Sequence, residues 1–164
     1  MSILKPLACL ALAAAATACA QDVVRHKTPG SDFPIAMAVE VPAGKKLFFV
    51  SGSGPGLADK AAKPGTFAAY GDTATQTAST LEAIQANLKL LKLDMKDVVK
   101  MQVFLVGDPA KEGRMDFAGF MQGYRKYFGT AEQPNLPART TVQVVALPNP
   151  GWLVEIEVTA VAPN

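Results

Sequence analysis

The chain has 164 residues, enough for one domain with a core of ordinary size and not for a second. Apolar residues make up 49% and charged ones 18%, the balance of a folded globular protein. The formal net charge is only +2, with no basic run and no interleaving of basic and aromatic residues, which argues against a surface that follows nucleic-acid phosphates.

Met1 to Ala20 (MSILKPLACLALAAAATACA) has one lysine, then a Leu/Ala run, then small residues. That is the order of a secretory signal peptide, and Ala18-Cys19-Ala20 fits the small-x-small cleavage rule. The run is short of the roughly 20 apolar residues that a transmembrane anchor needs. A lipid anchor at Cys19 is the alternative, with Ala16-Thr17-Ala18 where a lipobox normally opens on leucine. The expectation is a signal peptide over 1–20 and export to the periplasm. Both cysteines, Cys9 and Cys19, fall in this leader, so the remainder has no internal disulfide, thiol nucleophile or thiolate ligand.

Gln21 to Asp32 is polar and broken by Pro29-Gly30, which reads as a flexible lead-in to a domain over 33–164. Ile35–Val41 and Lys45–Val50 read as two strands joined at Pro42-Ala43-Gly44. The Gly52, Gly54, Pro55, Gly56 cluster forces a loop, continued by Lys60–Gly65. In Thr73–Leu93, Ala74, Ala78, Leu81, Ile84, Leu88 and Leu91 recur at steps of three and four, predicting a helix with Asp72 or Thr73 as N-cap. Asp97–Val106 follows as a strand. A second helix is expected near Gly113–Phe128, with Phe117, Phe120, Met121, Tyr124 and Phe128 as its core-facing stripe. Arg139–Leu147 and Trp152–Val161 close the chain as two strands joined by Pro148-Asn149-Pro150-Gly151.

The order ββαβαββ implies an α+β fold, a single mixed sheet with two helices packed on one face. The uncovered face must be polar or buried by another subunit.

Generic catalytic arrangements find little here. His26, the one histidine, lies in the lead-in, and one histidine without a thiol builds no usual zinc site or Ser-His-Asp triad. Gly52–Gly56 lacks the ending of a phosphate loop and the spacing of a dinucleotide fingerprint. No cofactor is implied.

The C-terminal block is more specific. Pro137-Ala138-Arg139 opens a strand, Leu147-Pro148 follows, and the last strand carries Glu155-Ile156-Glu157. This resembles the closing signature of the RidA (YjgF/YER057c/UK114) family. Val50-Ser51-Gly52, Asp97-Val98-Val99-Lys100 running into Val103-Phe104-Leu105, and Asp116-Phe117-Ala118 with Tyr124 and Phe128 resemble other parts of the same family. The similarity spans roughly Phe33 to Val161. It implies a chorismate-mutase-like fold and a homotrimer with ligand sites between subunits. The implied activity is hydrolytic deamination of carboxylate-bearing imines and enamines.

By that resemblance Arg139 holds the substrate carboxylate, a task suited to a planar guanidinium with paired donors. Glu155 places the attacking water, Ser51 assists, and Gly52 and the Thr141 backbone amide line the site. Taken alone, these residues also read as a surface ion pair, a solvent-facing strand position and a strand-end turn. The chain departs from the family at Ile35, where a tyrosine is common, at Met121, where a site asparagine falls, and at Thr141, where a cysteine is frequent. If Leu147–Gly151 is a hairpin loop, Arg139 pairs near Thr159. Glu155 then lies about four residues, roughly 13 Å, along the strand, too far for one small substrate to reach both within one chain. Two other functions share these residues: a non-catalytic binder of small carboxylates, and a structural or chaperone-like trimer. Ribonuclease activity, also attributed to the family, fits poorly with the near-neutral charge.

Overall fold

The computed structural model describes residues 21–163; residues 1–20, expected to be a signal peptide, lie outside them with Cys9 and Cys19. The main body is a four-stranded mixed sheet in the order β3-β6-β4-β5. Its strands are β3 (Leu47–Ser53), β4 (Val98–Val106), β5 (Ala138–Val144) and β6 (Val154–Val161). β6 runs antiparallel to both β3 and β4, while β5 runs parallel to β4.

Two helices cover one face. The longer, α2 (Thr73–Leu90), starts at Asp72, whose side chain accepts from the Thr75 amide at 2.8 Å. That cap satisfies a donor the helix itself leaves unpaired. The shorter, α3 (Phe117–Tyr124), is capped by Asp116, which accepts from the Gly119 amide at 3.0 Å. The two approach so closely at Gly123 that a Cβ there would stand 2.6 Å from the Thr77 Cβ and 2.8 Å from the Ala74 carbonyl oxygen. Only glycine permits that crossing, and the crossing sets α3 over the β5 side of the sheet. Leu81, Ile84 and Leu88 of α2 and Phe120 and Tyr124 of α3 are fully buried, as are Met101, Leu105, Val154 and Ile156 beneath them. The α+β architecture with both helices on one face is thus as expected.

Several local expectations need correction. The segment 21–32, read as a flexible lead-in, contains strand β1 (Val24–His26), which pairs with β2 (Ala38–Glu40) in a ribbon separate from the main sheet. Arg25 fastens that ribbon to the body by donating to the Lys96 and Val98 carbonyls at 2.9 and 3.2 Å. The strands flanking Pro42-Ala43-Gly44 do not pair with each other, because β2 is taken by β1 and β3 by β6. A short helix α1 (Phe67–Tyr70) interrupts the loop, and the second helix is shorter than the apolar stripe suggested. The closing strands do not form a hairpin either: β4 lies between them, paired with both.

The other face of the sheet carries no helix. It presents Phe49, 81% exposed, with Leu47 and Val142 also exposed, among polar side chains such as Gln102 and Glu157.

Candidate functional site

Arg139 lies opposite Met101, and Met101 lies opposite Val158. Side chains in register share a sheet face, and those two are buried beneath the helices, so Arg139 points toward the helical layer. Because β5 is an edge strand, the guanidinium sits at the border of that layer rather than at its centre. Four rings surround it: its central carbon is 4.4 Å from the Tyr124 centroid, 4.9 Å from Phe120, 5.6 Å from Phe33 and 5.9 Å from Phe117. A ring face attracts a desolvated cation by about 0.5–2 kcal/mol. The stripe read as core is therefore core and cage at once, and Phe33, outside any regular element, completes it.

No carboxylate pairs with Arg139 among the described residues, and its Nη1 is buried without a hydrogen-bond partner. Burial lowers the guanidinium from its usual value; the Tyr124 oxygen opposes that shift, and the charge of Arg125 adds to it. An arginine nevertheless stays protonated. Tyr124 is fixed by its own hydroxyl, which donates to the Pro34 carbonyl at 2.8 Å, and burial keeps its phenol neutral by pushing its pKa up. Thr141, two residues along on the same face, has a buried hydroxyl with no partner.

The other expected site residues lie elsewhere. Glu155 is opposite Phe104, one of the partly exposed positions that alternate with the buried ones, so it faces away from the helices. Its carboxylate packs against Gly52, where any Cβ would collide with it. Ser51 and Gly52 occupy an irregularity between Val50 and Ser53 in the pairing of β3 with β6, the kind of bulge that re-aims side chains at strand ends. Ser51 opens into a depression of about 220 Å³ on this face, with Lys100, Gln102 and Glu157 beside it. Gln102 donates to Glu157. The structure thus brings Ser51, Gly52 and Glu155 into one neighbourhood, and Arg139 and Thr141 into another on the opposite face.

The hairpin argument for their separation fails, yet the separation stands. Glu155 reaches β5 through Phe104 at Val142, three residues past Arg139. Two strand spacings across and three residues along give about 14 Å between the two backbone positions. Of the three departures in the sequence, Thr141 lies on the face of Arg139, and Met121 is 8% exposed and packs in the core, so it faces no site in this chain. Ile35 lines a cavity next to Phe33. No group of three or more His, Cys, Asp or Glu side chains among the described residues could hold a metal ion. The cage around Arg139 was not visible in the sequence, because Phe33 is remote from α3 along the chain.

A mixed sheet of this order with two helices on one face defines the class of fold, and comparison with known proteins supplies the family. The family described as Endoribonuclease L-PSP matches residues 34–162. Protein DfrA of Myxococcus xanthus is 36% identical over 83% of this chain and 91% of its own length. A RutC family protein of Haemophilus influenzae is 30% identical over 86% of this chain and 96% of its own. Among solved structures, E. coli TdcF with bound serine superposes with a TM-score of 0.56 at 27% identity, covering 87% of this chain and 99% of that one. The chain belongs to the RidA (YjgF/YER057c/UK114) family, whose matched description is the L-PSP one.

Proposed function

We propose that the protein is a hydrolytic deaminase of reactive 2-imino acids and their enamine tautomers, working in clefts between the subunits of a homotrimer. The reaction is R–C(=NH2⁺)–COO⁻ plus water giving R–CO–COO⁻ plus NH4⁺. In this reading Arg139 holds the carboxylate, assisted by the Thr141 backbone amide. Glu155 takes a proton from the attacking water and returns it to the departing nitrogen, with Ser51 and Gly52 shaping the water's position. An iminium carbon is already electrophilic, so positioning is most of the task.

The observation that carries the proposal is a half-buried guanidinium with no carboxylate of its own. A cation taken out of water is costly unless something compensates it, and an arriving anion would complete what the rings begin. Family membership supports the chemistry. The placement of Arg139 and Glu155 on opposite faces supports a shared site, since a cyclic trimer joins two different patches at every interface. The exposed Phe49, Leu47 and Val142 give that interface apolar surface to bury. Export by cleavage after Ala20 completes the proposal and rests on the leader's sequence pattern.

The test is to generate 2-aminoacrylate or 2-iminobutanoate in solution and follow its decay. Wild type should accelerate the decay and Arg139→Ala should not. If neither accelerates it, while a small carboxylate raises the melting temperature of wild type alone, the protein is a carboxylate binder instead.

A further inference from the structure

We propose that Gln76, in the first turn of α2, is a positioning residue for Glu155: its side-chain amide sets the start of β6 and, through it, the place of the carboxylate that handles the attacking water. The inference rests on the deaminase reading and adds what holds that half of the site in register. Gln76 is fully buried. Its Nε2 donates to the Gly71 carbonyl at 3.0 Å and to the Gly151 carbonyl at 3.1 Å, while its Oε1 accepts from the Leu153 amide at 2.7 Å. Two carbonyls and one N–H admit a single orientation of the amide, so the group acts as a fixed template.

Glu155 needs such a template because the sheet holds it from one side. It is paired with Phe104 of β4, but the pairing of β6 with β3 ends where Ser53 meets Ile156, one residue short of it. The strand before Glu155 is fixed instead at Leu153, whose carbonyl accepts from the Val106 amide at 2.9 Å and whose amide is the one bound to Gln76. The turn leading into Leu153 is docked on the helices. Asn149 donates from Nδ2 to the Tyr70 hydroxyl at 2.8 Å, and a Cβ on Gly151 would stand 2.7 Å from the Thr66 carbonyl oxygen and 2.8 Å from the Tyr70 ring. Trp152, between the two backbone positions that Gln76 binds, packs on Gly54, where any Cβ would run into the indole. The same turn thus braces the exit of β3, just past Ser51 and Gly52, and the entry of β6, just before Glu155. The cage of Arg139, built from Phe33 and α3, contains none of these residues.

That separation makes the test. Imine hydrolysis, binding of the product 2-oxobutanoate by calorimetry, and thermal melting are compared in wild type, Gln76→Met and Gln76→Glu. Methionine matches the size of glutamine and removes all three bonds. Glutamate keeps an acceptor for the Leu153 amide but sets a buried carboxyl group against two carbonyls, at a cost in stability. Gln76→Met should lower kcat by about 10–100-fold, the scale of a misplaced reacting group, with KM within about twofold of wild type. Its 2-oxobutanoate stoichiometry and Kd should match those of wild type, because Arg139 is untouched. Gln76→Glu should keep kcat within about threefold of wild type although it melts at least as early as Gln76→Met. A purely structural glutamine would make kcat follow melting temperature in both variants, and that result overturns the proposal. So does full kcat in Gln76→Met, or a KM that rises in step with the fall in kcat. In each of those cases wild type is active and the deaminase reading stands; a wild type that hydrolyses no imine removes both.

Discussion

The two faces of the sheet are built to different rules. On the helical side, Arg139 is locked among Tyr124, Phe120, Phe117 and Phe33, with the hydroxyl of Tyr124 fixed in turn on Pro34. On the bare side, Glu155 leans on a glycine in a strand irregularity, next to an open depression and exposed apolar side chains. One is a rigid, desolvated cation without an anion; the other is an accessible carboxylate without a roof. In the proposed trimer each is half of a site, and the other half comes from the neighbouring subunit.

The comparison breaks most severely at Arg139. In imine hydrolysis assays Arg139→Ala should lower kcat/KM by ~100-fold or more, the usual scale for losing a charged anchor. Arg139→Met should be equally inactive, yet its melting temperature should stay level or rise by about 2–4 °C, because an apolar side chain suits the cage better than an unpaired cation. A stability loss in Arg139→Met matching that of Arg139→Ala would show that the charge serves the fold. On the bare face, Gly52→Ala should push the Glu155 carboxylate aside and reduce kcat by about 10–100-fold. Its urea midpoint should hardly move, since the position is exposed at the end of a strand.

Smaller effects sharpen the account of the scaffold. Tyr124→Phe leaves the Pro34 carbonyl without its buried donor and should cost about 1–2 kcal/mol in urea unfolding, with Phe33 less well held. Asp72→Ala removes the cap of α2 and should cost about 1 kcal/mol. Hydrogen bonds from Thr75 hold the Asp72 carboxyl below the usual carboxylate value. A depressed folded-state pKa stabilises the protein above the unfolded value, about 3.9, and the contribution is lost as pH falls through the folded one. Melting curves of wild type and Asp72→Ala should therefore converge below about pH 4. A gap that keeps its full size well below that pH would argue that the cap acts without its charge.

The layer architecture was legible because it is written in periodicity. The 3.6-residue recurrence from Ala74 to Leu91 and the alternation in 98–106 and 154–161 mark one helix and two strands with little ambiguity. Strand pairing was not legible. Pro148-Asn149-Pro150-Gly151 announces a reversal of direction, but a reversal is equally compatible with skipping over a neighbour, and here β4 takes the place between. The clue lay in composition: Ala138–Val144 is largely small and polar, as an edge strand can be, whereas β6 hides every second side chain. The β1 strand escaped notice because its three residues include Arg25 and His26, and their pairing with β2 depends on a side chain reaching Lys96. For the site, the motif positions at Arg139 and Glu155 could be picked out, but not which face each takes. A shift of one residue in register reverses that assignment, and local sequence does not fix it.

The most direct test of a shared site is complementation between two inactive variants. If the protein is the proposed trimer, Arg139→Ala and Glu155→Gln subunits, each purified inactive and then mixed with subunit exchange, will form rings in which some interfaces join an intact Arg139 to an intact Glu155. Random mixing at equal ratio should restore roughly a quarter of wild-type activity, one half times one half at each heterologous interface. Activity that stays at the level of the separate variants, despite exchange demonstrated by mass spectrometry, would contradict the account and place both groups to work within a single chain.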